Sequence, residues 1–285
     1  MKFGVSTYSL FRAIEAQEMS LIDVLGYIAN IGGEHVEIVP MGFSLMENPE
    51  LIESIRKKAE EVGLELSNYA IGANFAGKNE TEYENETLRV MQEVDIAARL
   101  GVKLMRHDVA STSDISIKQF NIQLPRLSDA CRRIAEYAAQ FGITTSVENH
   151  GYFIQASDRV QSLLQATNHP NFKTTLDIGN FMCSDEDPMV AVKKNLPFAS
   201  LIHIKDFYLR PAQNDPGEGW FKTAHGNHLR GAIIGHGDID IREVLRTIKQ
   251  FGYDGYMTVE FEGMEECKQG TRLGLNNLRK LWNEI

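Results

Sequence analysis

The sequence predicts an eight-stranded (β/α)8 TIM barrel, on three observations. Short apolar runs alternate with longer amphipathic segments along all 285 residues. The segments "ARLGVK", "AQFGIT" and "KQFGYDG" share one grammar: a helix, a glycine suited to left-handed backbone, then a strand. Eight such units in series suit a barrel of this length. A doubly wound open sheet usually has fewer strands and a glycine-rich first turn, and the first turn here, "STYSLFRA", has no glycine.

The strands are expected near Phe3–Thr7, His35–Val39, Leu64–Tyr69, Val102–His107, Ile143–Glu148, Lys173–Asp177, Leu201–Lys205 and Tyr256–Phe261. A helix over Pro49–Val62 would take Asn48 as its N-cap and Pro49 at its first position. Further helices are expected over Glu84–Leu100 before Gly101, Leu124–Phe141 before Gly142, Ser157–Thr167, and Asp240–Phe251 before Gly252. No low-complexity linker interrupts the series, so residues 1–285 read as one barrel domain. The interval "FYLRPAQNDPGEGWFKTAHGNHLRGAIIGHGD" breaks the rhythm. A loop this long (207–237) is usually functional or disordered. Trp220, Phe221, His225, His228 and Arg230 speak against disorder, which leaves a lid or substrate contact, or else an oligomer contact.

Composition narrows the function classes. With 43% hydrophobic and 24% charged residues the chain has ordinary globular make-up. It has no eighteen-residue apolar run, so no membrane partner is expected. The opening "MKFGVS" runs into a strand pattern without the features of a signal peptide, and a cytoplasmic location is expected. Cys131, Cys183 and Cys267 form no CxxC pair, which argues against a disulfide framework and a thiolate zinc site. The net charge of -10 disfavours a nucleic-acid partner.

Strand side chains alternate between faces, and this places the polar groups. In "YMTVEFEG" the apolar Met257, Val259 and Phe261 share one face, so Thr258, Glu260 and Glu262 turn to the barrel axis. In "SLIHIKD", His203 and Lys205 turn inward; in "TTSVENH", Thr144, Ser146 and Glu148; in "KTTLDIGN", Thr175 and Asp177. Four consecutive strands thus aim Glu148, Asp177, His203 and Glu260 at the C-terminal rim. Three carboxylates so close would raise one another's pKa values unless a cation lay between them. A divalent metal satisfies them. Oxygen-rich ligation with one imidazole suits manganese first, with magnesium, cobalt or zinc as alternatives. Taken singly, each residue also fits a solvated rim position or a core hydrogen bond, and Lys205 fits a structural ion network with Glu260 or Glu262.

The motifs "SVENHG", "TLDIGN", "IHIKD", "GHGDID" and "GYDGYMTVEFEG", in this order, resemble the sugar phosphate isomerase/epimerase superfamily of xylose isomerase-like barrels. The resemblance spans nearly the whole chain. It implies Glu148, Asp177, His203 and Glu260 as metal ligands, with Glu148 and Glu260 also the catalytic acid/base pair. The implied chemistry is proton abstraction beside a carbonyl of a small sugar, ketose or cyclitol. An inosose dehydratase-like elimination, or a non-catalytic sugar-binding barrel, is the alternative. Asn180 stands where ketose 3-epimerases commonly carry a histidine; with the acidic net charge it also argues against the DNA-repair branch. Substrate contacts are expected from His107, which equally fits a buried structural role, from His150, Asn180, Lys205 and Arg230, and from His236, which Gly235 and Gly237 otherwise assign to a tight turn; Arg210 is an alternative to Arg230, and Glu37 lies in the barrel interior. Oligomeric state stays open.

Overall fold

A computed structural model describes residues 1–285. The barrel strands are β1 (Lys2–Ser6), β2 (His35–Ile38), β3 (Glu65–Ile71), β4 (Leu104–His107), β5 (Thr144–Glu148), β6 (Phe172–Asp177) and β7 (Ala199–Ile204). Three strands then leave the barrel: β8 (Asp206–Arg210), β9 (Phe221–Lys222) and β10 (His228–Ala232). The last barrel strand is β11 (Tyr256–Val259). All eight barrel strands pair in parallel and close in the order β1-β11-β7-β6-β5-β4-β3-β2. The chain is a (β/α)8 barrel.

Helices follow the eight strands in turn: Leu21–Asn30, Pro49–Val62, Glu80–Leu100, Ile117–Ala139, Ser157–Thr167, Pro188–Asn195, Ile241–Phe251 and Cys267–Asn283. Their apolar faces meet the outward strand residues Val36, Met105, Val147, Leu176, Ile202 and Met257, all fully buried in one hydrophobic core. Gly101 and Gly252 end their helices in left-handed backbone, as their positions predict. Gly142 is left-handed too, though its helix closes earlier, at Ala139 with Gln140 as C-cap.

Two local expectations fail, at the Asn48 cap and at the start of the helix expected from Leu124. Pro49 does open its helix, but the Asn48 side chain accepts no capping bond. The helix expected from Leu124 begins at Ile117 and runs through Pro125. Phe120 is buried in its first turn and packs on Phe153, so burial outweighs the missing proline N–H. The long interval after β7 is ordered: β8, β10 and β9 form an antiparallel sheet, with Leu229 and Phe207 in the core. Asp206 anchors its return by accepting hydrogen bonds from the backbone N–H groups of Gly235 and Gly237, each at 2.9 Å.

The barrel interior is polar in its lower layers. His35 lies over β1, its ring hydrogen-bonded to Ser67 Oγ (2.9 Å) and the Met257 carbonyl (3.1 Å). It fits because β1 carries Gly4 opposite: a Cβ there would stand 2.6 Å from the imidazole. No helix is long and apolar enough to cross a membrane.

Candidate metal centre and active site

The C-terminal rim encloses a cavity of about 370 Å³. At its floor, Glu148 (end of β5), Asp177 (end of β6), His203 (β7) and Glu260 (just past β11) bring one ligand atom each to within 4.8 Å of one another. All four are buried. His203 Nδ1 lies 3.4 Å from Glu148 Oε1, 3.8 Å from Glu260 Oε1 and 3.9 Å from Asp177 Oδ2.

Each of the four side chains is held from behind. Asn149 clamps β6: its Nδ2 donates to the Asp177 carbonyl (2.8 Å) and its Oδ1 accepts from the Asp177 N–H (2.9 Å). Asp177 Oδ1 accepts from the N–H groups of Gly179 and Asn180. Gly179 is needed there, because a Cβ would come within 2.9 Å of the Lys205 carbonyl oxygen. Glu148 Oε2 accepts from Arg106 Nε at 2.7 Å and lies 2.5 Å from Nη2, and Oε1 accepts from Asn180 Nδ2 at 3.0 Å. Lys205 Nζ sits 2.6 Å from Glu260 Oε2, 3.2 Å from Asp177 Oδ2 and 3.6 Å from Glu262 Oε2.

The electrostatics follow from burial and charge. Burial alone would deprotonate His203, but Glu37, Glu260 and Glu148 outweigh it and hold its pKa well above the ordinary value. Burial would likewise raise Glu148, but Arg106 and His203 hold it well below the carboxylate range. Asp177 goes the other way: burial pushes it up to about 6, opposed by Lys205 and reinforced by Glu148 and Glu260.

The donor set fits a divalent cation. Asp177 Oδ2 is fully buried, faces the cluster and accepts no hydrogen bond. Its nearest charged neighbour, Lys205 Nζ at 3.2 Å, is shared with Glu260 and Glu262; a buried carboxylate oxygen that accepts no hydrogen bond is costly, and a cation among the four ligand atoms would satisfy it. Three carboxylates with one imidazole suit manganese, magnesium, cobalt or zinc, and no thiolate selects among them. Cys183 lines the cavity, but burial raises its thiol to about 12.

The other expected contacts separate into two groups. His150, Asn180 and Lys205 line the cavity, as does Glu37. His150 is the exposed member, its Nδ1 3.3 Å from Asp108 Oδ1. His107, Arg230 and His236 do not line it. The β4–β5 register sets Arg106 beside Ser146 on the inner face, which turns His107 outward. There its ring packs against Phe75 and Phe172, and its Nδ1 bonds the Asp108 carbonyl. Arg230 stacks on Tyr208 and Trp220 within the excursion sheet, 4.8 and 5.2 Å from their ring centroids. Arg210, the alternative, stacks on Trp220 as well and pairs with Asp238. His236 is exposed in the turn before Asp240. Of the excursion, Phe221 reaches the cavity.

Arg106, Asp108, Tyr8, Tyr152 and Gln155 also line the cavity and were not expected from the sequence. Strict alternation along "KLMRHD" was the available signal for Arg106: it selects Leu104 and Arg106 as the inner pair, and His107 as outer. Tyr152 has left-handed backbone (φ 64) and donates its hydroxyl to the Lys222 carbonyl, tying the rim to the excursion.

Comparison with known proteins agrees with this architecture. Residues 25–281 match the family model of xylose isomerase-like TIM barrels, and the chain belongs to that family. It is 28% identical over 140 residues to an inosose dehydratase of Bacillus licheniformis, covering 48% of this chain and 46% of that protein. The chain thus spans about half the length of the first curated relatives it matches. An inosose dehydratase of Geobacillus kaustophilus matches at 24% identity over 265 residues, 86% of this chain and 79% of that one. Among solved structures, the probable 3-DHS dehydratase AsbF of Bacillus anthracis superposes with TM-score 0.75 at 18% identity, covering 98% and 99% of the two chains. D-psicose 3-epimerase of Clostridium cellulolyticum H10, solved with D-tagatose, superposes with TM-score 0.75 at 16% identity, covering 99% of each. A Mycobacterium smegmatis barrel of this type, solved with magnesium, has TM-score 0.69 at 18% identity, covering 92% and 89%.

Proposed function

We propose that this barrel is a divalent-metal-dependent isomerase or epimerase of a small ketose, cyclitol or related sugar. The observation that carries the reading is the convergence of Glu148, Asp177, His203 and Glu260 on one buried point beneath an open cavity. A metal held by these four residues, manganese first, supplies a Lewis acid for a carbonyl and its neighbouring hydroxyl. The side chains do the remaining work. Glu260 removes the proton beside the carbonyl; Glu148, having first taken a proton from solvent, delivers it to the opposite face or the next carbon, and exchange with water returns both carboxyls to their starting states. Lys205, 2.6 Å from Glu260 Oε2, stabilises that carboxylate between proton transfers. Arg106 holds Glu148 Oε2 and orients its carboxylate. Tyr8 and Phe221 bring aromatic surface to the cavity and help keep bulk water from the reacting carbons.

The charge of the site points to an uncharged substrate. Glu37, Asp108, Glu148, Asp177, Glu260 and Glu262 surround Arg106 and Lys205. Six carboxylates exceed two permanent cations so far that a divalent ion still leaves the site acidic. Arg106 and Lys205 are already paired with acids, so a phosphate or carboxylate would find no free cation.

A second reading is elimination of water on the same scaffold. The likeness to inosose dehydratases supports it, as does the Lys205 ammonium, which can protonate a departing hydroxyl beside Glu260. Incubation of the manganese-loaded protein with ketoses and keto-cyclitols in deuterated water separates the readings. Deuterium at the α-carbon of an isomeric product supports isomerisation, and loss of water supports the lyase. Absence of exchange and of turnover across the panel overturns both and leaves a sugar-binding barrel.

A further inference from the structure

We infer that Glu37 is a positioning residue for the metal centre: through a hydrogen bond to His203 Nε2 it fixes which imidazole nitrogen faces the cation. The inference rests on the metal-centre reading above. Glu37 Oε2 lies 3.0 Å from His203 Nε2, and the two side chains are 0% and 1% exposed. The other ring nitrogen, Nδ1, faces all three carboxylates of the cluster. A ligating nitrogen must be unprotonated, so the proton has to sit on Nε2. A carboxylate on Nε2 selects that tautomer, stops the ring from flipping and raises its basicity toward the metal.

The backbone is shaped to hold this carboxylate. Between β2 and β3 the register shifts: Val36 pairs with Leu66, but Glu37 pairs with Asn68. The bulge lets consecutive residues of β3 serve the barrel interior. Ser67 Oγ bonds the His35 ring and the Val36 carbonyl, and Asn68 Nδ2 donates to Glu37 Oε2 at 2.7 Å. Without the shift Ser67 would stand opposite Glu37, and its shorter side chain would replace Asn68 as the neighbour from β3. Asn68 and Glu37 are both fully buried. Asn68 and His203 therefore converge on one oxygen of Glu37, and the relay Asn68–Glu37–His203 crosses the barrel to the metal ligands.

The test is manganese affinity by calorimetry, together with the visible spectrum of the cobalt-substituted protein. Wild type, Glu37→Leu, Glu37→Gln and Asn68→Ala are compared, with folding checked by circular dichroism. Glu37→Leu removes the acceptor and should weaken manganese binding by about 10–100-fold and alter the cobalt spectrum. Glu37→Gln keeps an amide oxygen for the Nε2 proton and should restore most of the affinity. Asn68→Ala should loosen the brace and cost about 3–10-fold, a fraction of the effect of removing the acceptor itself. It also serves if Glu37→Leu fails to fold. Wild-type affinity and spectrum in both Glu37→Leu and Asn68→Ala, or in Asn68→Ala alone if Glu37→Leu is unfolded, would overturn the inference. Failure of the wild-type protein to bind any divalent ion would instead overturn the metal-centre reading itself.

Discussion

Two histidines lie inside the same barrel, both almost fully buried, and their surroundings shift their pKa values in opposite directions. His35, in the lower layer, meets a serine hydroxyl and a backbone carbonyl, and burial lowers its pKa to about 4. His203, one layer up, meets Glu37 on one nitrogen and three carboxylates on the other, and these acids push its pKa well above the ordinary value against the effect of burial. Burial is the same; the neighbours decide. The lower layer is built from neutral partners and fills space, while the rim concentrates charge that a structural core would not tolerate. That excess is the physical basis for proposing the rim as the place for chemistry.

The comparison breaks most sharply on turnover. Glu148→Gln and Glu260→Gln should each lower the isotope-exchange rate by about 10²–10⁴-fold, the usual worth of a general acid or base. Thermal unfolding should stay close to wild type. Retained exchange in either variant would remove that residue from the proton-transfer role.

His35→Ala should do the reverse. Emptying a buried ring costs about 3 kcal/mol, so denaturant unfolding should shift strongly while manganese affinity changes less than about threefold. A large loss of metal in His35→Ala would erase the distinction between the two layers.

The neutral histidines also predict a pH dependence. His35 and His107 both titrate near 4 in the folded chain, below their ordinary 6.5, because burial disfavours the cation. Below pH 6.5 the unfolded chain takes up protons that the folded chain refuses. Stability should therefore fall as pH drops from 6.5 toward 4, by roughly 3 kcal/mol per ring. His107→Phe should flatten that slope in unfolding measurements between pH 7 and 4.5. An unchanged slope would show that His107 is already charged in the folded chain.

The smallest expected effect concerns the excursion. Arg230→Ala and His236→Ala should leave the rate constants within about twofold, since neither residue lines the cavity. A large rise in KM for either would mean that the excursion closes further over the substrate than its position here.

Much of this was legible in the sequence, for physical reasons. Barrel strands buried on both faces read as apolar runs, and helices that must stop before a strand end on left-handed glycines such as Gly101 and Gly252. Strict two-residue alternation on β5, β6, β7 and β11 brought out Glu148, Asp177, His203 and Glu260. The same rule misled where it was not applied or does not hold. On β4 chemical appeal favoured His107, whereas register favours Arg106. On β3 the bulge lets Ser67 and Asn68 both serve the interior, and no one-dimensional pattern announces a register shift. The excursion was opaque because two of its strands pair antiparallel across a long gap, with an edge strand of only two residues.

The most direct test is a manganese titration of metal-stripped wild-type protein beside His203→Ala. One ion per chain in the wild type, with binding lost in the variant, is the predicted result. Equal stoichiometry and affinity in the two proteins, or a wild type that binds no divalent ion, would contradict the account at its centre.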